Sequence, residues 1–480
     1  MVFSSLICLF GFLPAVLAAC YLAPVRLRNA VLLAASLVFY AWGAPRFVFV
    51  LAGSVWLDWE ISRRMAAVPS GGPMRRKWLV LSLAVNLALL FFFKYSNFAA
   101  VELNVSLAAL NLNPVPWAAV ALPIGISFFT FQKISYMVDV YRGVTPPSES
   151  FGLCLLYIAL FPQLIAGPIV RYHDVARQLV SRDYTADRFV SGICRFALGF
   201  GKKVLVANVL AGVADAAFAM PAGSLTTLLA WLGVTAYAFQ IYFDFSGYSD
   251  MAIGLGRMFG LEFLENFDRP YLSRTFTEFW QRWHISLSNF MKEYLYIPLG
   301  GNRVSPGRRY VNLWIVFLLS GFWHGAAWNF IVWGAYQGVF LSLDKLCWKK
   351  MAGRLPGWLT VPLNFVLVLG GWVFFRAENV GAAWTYLGRM LGLTGIHPVS
   401  VPLLYGDLIS HRQIVMMLVA ALICFLPAFP NARRVLDRLA GLNPDHRGLI
   451  PATAGALVIL LLSVCSLANS TFNPFIYFRF

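Results

Sequence analysis

Arg75-Arg76-Lys77-Trp78-Leu79-Val80-Leu81-Ser82-Leu83-Ala84-Val85-Asn86-Leu87-Ala88-Leu89-Leu90-Phe91-Phe92-Phe93 decides the class of fold. Three basic residues open an apolar run close to the roughly 20 residues that a bilayer-crossing helix requires. Residues 97–116 beyond the run contain no Lys or Arg. Basic loops are retained on the cytosolic side, so this asymmetry places the first loop in the cytosol and the second outside it. Comparable runs start near residues 3, 29, 46, 77, 117, 151, 189, 223, 311, 330, 357, 413 and 449. They predict an all-α polytopic integral membrane protein with about 11–13 membrane segments, some of them re-entrant.

Composition agrees. Of 480 residues, 59% are hydrophobic and only 12% charged, about half the charge of a soluble domain. The 38 Lys+Arg against 21 Asp+Glu give a net charge of +17. A nucleic-acid binder gathers such charge on one soluble face, whereas here it lies in short loops between apolar runs, so no nucleic-acid partner is expected. The seven cysteines form no Cys-x-x-Cys pair and mostly fall in apolar runs, which reads as buried small hydrophobes with no metal site. Leu17-Ala18-Ala19-Cys20 resembles a lipoprotein cleavage box, but no basic residue precedes Arg26. An uncleaved first transmembrane helix is expected there.

Residues 1–480 read as a single multi-pass domain without internal repeats. Within it, about 257–309 form an amphipathic cytosolic region containing Arg269, Arg274, Arg282, Lys292, Arg303, Arg308 and Arg309. A re-entrant hairpin is expected over about 311–346. Leu122-Pro123-Ile124-Gly125 and the stretch Pro162 to Pro168 interrupt apolar runs, and such backbone survives at membrane depth only when it is buried in protein or lines a cavity. A break near Pro162–Pro168 also reconciles Arg142, Arg171, Arg177, Arg182 and Arg188 with one cytosolic face.

Candidate chemistry centres on two histidines. His324, in Phe322-Trp323-His324-Gly325-Ala326-Ala327-Trp328-Asn329, lies within an apolar run, where an ionisable group is costly. A neutral imidazole bonded to a neighbouring helix is the plain alternative. His284 stands in Trp280-Gln281-Arg282-Trp283-His284-Ile285-Ser286, and alone would read as a surface histidine. Imidazole suits general-base work because its pKa lies near neutrality. Trp323, Asn329, Asp244 and Trp283 are the candidate substrate-binding residues; Asp244 and Asp250 equally fit structural ion pairs. Arg376 and Glu378 read as interfacial snorkelling. Gly254-Leu255-Gly256-Arg257-Met258-Phe259-Gly260 reads as close helix packing. Gly-x-Ser-x-Gly, His-Glu-x-x-His and P-loop signatures are absent from the sequence, which removes support for a serine hydrolase, a zinc protease or a P-loop motor.

Phe322-Trp323-His324-Gly325, Phe279 to Ser288, Tyr242 to Gly256, Leu122 to Gly143 and the closing Phe472 to Phe480 together resemble the membrane-bound O-acyltransferase family. The likeness runs along essentially the whole chain. It is strongest to the bacterial polysaccharide branch, whose members acetylate alginate, cellulose or peptidoglycan. The resemblance implies a ring of helices around a central tunnel, with His324 and His284 as the catalytic histidines. It further implies an inner-membrane protein that moves acetyl groups from a cytosolic thioester, acetyl-CoA, for O-acetylation of an exopolysaccharide, with alginate expected. No bound cofactor is implied. Membrane lipid and periplasmic acetyltransferase proteins are the implied partners. Acetylation of cellulose or peptidoglycan, a non-enzymatic transporter or flippase with proton-relaying histidines, and a scaffold with a dead site remain open.

Overall fold

The computed structural model describes residues 3, 5–165, 167–393, 409–439, 446–468 and 475–476. His397 and most of the closing 472–480 stretch lie outside them. Among the described residues all regular structure is helical. Seven helices among the described residues are long and apolar enough to cross a membrane: Val25–Gly43, Pro73–Ala109, Ala186–Ala219, Thr227–Met258, Gly357–Arg376, His411–Ala428 and Pro451–Ala468. Other helices counted among the expected membrane segments miss that class for physical reasons. Cys8–Leu22 is short, Phe47–Ala66 carries Asp58, Glu60, Arg63 and Arg64, and Pro306–His324 begins with Arg308 and Arg309.

The chain divides into two compact units, Met1–Gly192 with Leu255–Leu264, and Ile193–Gly254 with Glu265–Phe480. In the first, Phe47–Ala66, Pro73–Leu90 and Ile126–Arg142 pack together. Asp58 and Lys133 are buried between them and form an ion pair at 3.2 Å. Ser82 Oγ and Asn86 Nδ2 donate to the Asp58 carboxylate at 2.6 and 2.9 Å. The expected break is present: one helix ends at Ala159, and only the short turn Phe161–Leu164 follows.

In the second unit, tight backbone approaches explain several glycines. A Cβ on Gly199 would lie 2.4 Å from the Gly247 carbonyl oxygen, and one on Gly247 would lie 2.7 Å from the Gly199 carbonyl oxygen. The helix holding Gly199 widens into a π-turn over Lys202–Ala207. Such turns realign neighbouring side chains, and both lysines address the helix Thr227–Met258: Lys202 reaches Asp250 at 2.6 Å, Lys203 reaches Asp244 at 2.5 Å. Arg195 adds a second bond to Asp250 at 2.6 Å.

The helices Pro306–His324 and Trp328–Leu343 form an antiparallel hairpin turned by Gly325-Ala326-Ala327. Its two arms touch where a Cβ on Gly321 would lie 2.3 Å from the Phe330 carbonyl oxygen and one on Gly334 would lie 2.4 Å from that of Phe317. Small residues at a helix contact allow this closeness. Of the cysteines, Cys347 and Cys465 are exposed and the other five buried.

Candidate active site

His324 is the last residue of its helix. It is 5% exposed and enclosed edge-to-face by Trp323, Trp333 and Phe375, at ring-centroid distances of 4.9, 5.1 and 5.2 Å. A Cβ on Gly325 would fall 2.2 Å from the Phe330 ring, so any side chain there would have to displace that ring. Asn329 holds the far wall. Its Nδ2 donates to the carbonyls of Phe374 and Ala377 at 3.3 and 3.0 Å, where the helix Gly357–Arg376 ends and carbonyls lack intrahelical partners.

His284 is fully buried and caps the short helix Ile285–Met291. Its φ of 46° lies in the left-handed region that a non-glycine residue occupies at a cost. Asn266 compensates. Its backbone oxygen accepts the Ile285 N–H at 2.9 Å, while Oδ1 accepts from Ser286 N and Ser286 Oγ at 3.1 and 2.9 Å. The same Oδ1 lies 3.1 Å from His284 Nδ1. An oxygen already receiving a backbone N–H can only accept from the imidazole, so Nδ1 carries the proton and Nε2 keeps its lone pair. Among the described residues His284 Nε2 is buried without a hydrogen-bond partner. Burial pushes its pKa down to about 3, which keeps the ring neutral.

Aromatic side chains join the two histidines. From His284 the contacts pass to Phe267 at 6.5 Å, Trp283 at 5.1 Å, Trp372 at 4.9 Å and Phe375 at 5.6 Å, and so to His324. On another side Trp280 lies 5.8 Å from Trp333 and forms part of the wall of an open cavity of about 290 Å³. Leu287, Phe317 and Leu341 make that wall apolar, and Lys292 and Lys345 also line the cavity. Burial, and then the charge of Arg309, lower the pKa of Lys345, so cations converge here. Three other arginines of the basic stretch have structural duties. Arg274 bonds the carbonyls of Ala352 and Leu355, Arg282 pairs with Glu278, and Arg308 with Asn312.

The model of the membrane-bound O-acyltransferase family matches residues 146–382, which contain both histidines and the cavity. A "Probable alginate O-acetylase" of Azotobacter vinelandii is 42% identical over 504 residues, covering 100% of each chain. One from Pseudomonas aeruginosa is 47% identical across 80% of this chain and 74% of its own. A peptidoglycan O-acetyltransferase of Helicobacter pylori is 36% identical across 82% and 81%. The chain belongs to the membrane-bound O-acyltransferase family. It is therefore a multi-pass membrane O-acyltransferase.

Within this acyltransferase the structure gathers His324, Trp323 and Asn329 around the hairpin turn, and Trp283 beside His284. Asp244 has different neighbours: it pairs with Lys203 and accepts the Ile476 N–H at 2.7 Å. Asn266, Trp333, Trp372 and Phe375 were not singled out in the sequence. Asn266 lies 18 positions from His284, and the three aromatics were indistinguishable from ordinary core.

Proposed function

We propose that this acyltransferase moves acetyl groups from cytosolic acetyl-CoA across a bacterial inner membrane for O-acetylation of an exopolysaccharide, with alginate as the polymer and a periplasmic transferase as partner. The observation that carries the reading is the buried aromatic site with a histidine at each end, one of them fixed as a lone-pair acceptor. The full-length relationship to a probable alginate O-acetylase supports the polymer. The peptidoglycan O-acetyltransferase relationship makes peptidoglycan the second reading.

In the proposed chemistry His324 takes the proton of an acceptor hydroxyl as its oxygen attacks the thioester carbonyl. The C–S bond breaks, the acyl group passes to oxygen, and the thiolate leaves and takes up a proton. A base so placed contributes about 10²–10⁴-fold. The aromatic walls limit water and with it thioester hydrolysis. The apolar cavity walled by Trp280 suits a pantetheine arm, while Lys292, Lys345 and Arg309 suit the nucleotide phosphates.

The test supplies radiolabelled acetyl-CoA to inverted membrane vesicles from cells with the complete acetylation machinery. Label appearing as alkali-labile ester on alginate, and lost in His324→Ala at equal protein abundance, is the expected result. Ester label on peptidoglycan alone would move the second reading ahead. Label transfer undiminished in His324→Ala would overturn the catalytic assignment in favour of a transporter or scaffold.

A further inference from the structure

Asp244 is buried at the middle of a 32-residue helix, a costly place for a carboxylate in a membrane protein. Its oxygens are committed. Oδ1 pairs with the buried Lys203 at 2.5 Å, and Oδ2 accepts the backbone N–H of Ile476 at 2.7 Å. That second bond joins residues 232 positions apart and fixes a short segment, Phe475–Ile476, both of whose side chains are buried. The Phe475 ring then lies 4.8 Å from Tyr248 and 5.9 Å from Phe245. Phe245, the next residue after Asp244, meets the His284 imidazole edge-to-face at 4.6 Å, 84° between planes. The ring that meets His284 at right angles is thus itself backed by Phe475. Asn266 restrains Nδ1, Phe267 lies nearly parallel to the ring at 6.5 Å, and Phe245, the nearer of the two rings, limits its tilt from the perpendicular direction.

We propose that Asp244 is a positioning residue: paired with Lys203, it latches Phe475–Ile476 against Phe245 and so holds the His284 imidazole at the angle acyl transfer requires. Asp244 touches no reacting atom in this account. The role rests on the acyl-transfer reading of His284. It follows from geometry because the backbone bond to Asp244 seats Phe475–Ile476, and the Phe475 ring touches the Phe245 ring that meets His284. Misplacement of a catalytic group by about 1 Å can cost on the order of 10²-fold.

The test measures the rate of polymer O-acetylation in whole cells, per unit of membrane-inserted protein, for Asp244→Asn, Lys203→Met, Phe475→Leu and the double variant Asp244→Asn/Phe475→Leu. Each single change is expected to lower the rate about 10- to 100-fold. The double variant should fall no further than the worse single, because both break one latch. Lys203→Arg and Phe475→Tyr, which preserve the ion pair and the ring, should recover most of the rate. Should Asp244→Asn fail to accumulate, Phe475→Leu carries the test, since it leaves both charges in place. Independent, multiplying effects, or conservative variants as impaired as the disruptive ones, would overturn the latch. His284→Ala runs beside them. If it loses rate while the latch variants keep theirs, only the latch is overturned; if it keeps the wild-type rate, the acyl-transfer reading of His284 falls and the latch with it.

Discussion

The Asp58–Lys133 cluster and the histidine site are both buried and polar, yet they are finished differently. Asp58 receives Ser82, Asn86 and the Lys133 ammonium within 3.2 Å, so each of its oxygens is engaged. Around the histidines polar edges stay open: His284 Nε2, Asn266 Nδ2, Asn329 Oδ1 and Trp333 Nε1 have no hydrogen-bond partner among the described residues. An unsatisfied buried polar group costs about 1–3 kcal/mol. In the Asp58 cluster the open edge is Asn86 Oδ1, whereas four such edges lie around the histidines, a difference that supports the proposal that a ligand completes the histidine site.

That contrast breaks most visibly at Asp58. Asp58→Ala strands Lys133 without its counter-charge, and removing one partner of a buried pair costs about 3–5 kcal/mol. The protein should largely disappear from membranes on immunoblots, whereas the apolar pair Asp58→Leu/Lys133→Met should recover much of the abundance. Full abundance of Asp58→Ala would contradict the architectural role.

A smaller effect is expected where the hairpin arms meet. Gly321→Ala puts a methyl 2.3 Å from the Phe330 carbonyl oxygen, and overpacking of this kind costs about 1–3 kcal/mol. Because Gly321 lies one turn before His324, the specific acetylation rate should fall more than abundance does. A loss of abundance at unchanged specific rate would uncouple the hairpin contact from the site.

Another effect concerns pH. Folding holds His284 neutral, with a pKa of about 3 against an ordinary 6.5. Its contribution to stability is therefore complete above pH 6.5 and is lost as pH falls toward 3. Between pH 6.5 and about 4 the melting temperature of solubilised wild type should drop more than that of His284→Gln. Equal slopes would mean that the imidazole is not buried in the neutral state.

The helical membrane class was legible because apolar length and loop charge are local properties of the sequence. His324 and His284 stood out for a related reason: each interrupts its surroundings chemically within a few residues. What remained hidden depends on contacts between distant positions. Nothing in Glu265-Asn266-Phe267 announces that Asn266 sets the His284 tautomer, and nothing near Asp244 points to Ile476. Asp58 and Lys133 passed unnoticed because their partnership appears only when three helices pack. Helices such as Phe47–Ala66 also escape a reading by apolar length, since they carry a buried charge that the fold neutralises.

The central claim is that the open histidine site performs the acyl transfer. Its most direct test is the O-acetyl content of secreted polysaccharide from cells carrying wild type, His324→Ala or His284→Ala, matched for membrane abundance. The account predicts that polymer yield is unchanged while acetyl ester vanishes in His324→Ala and falls sharply in His284→Ala. Wild-type acetylation in both variants would contradict it.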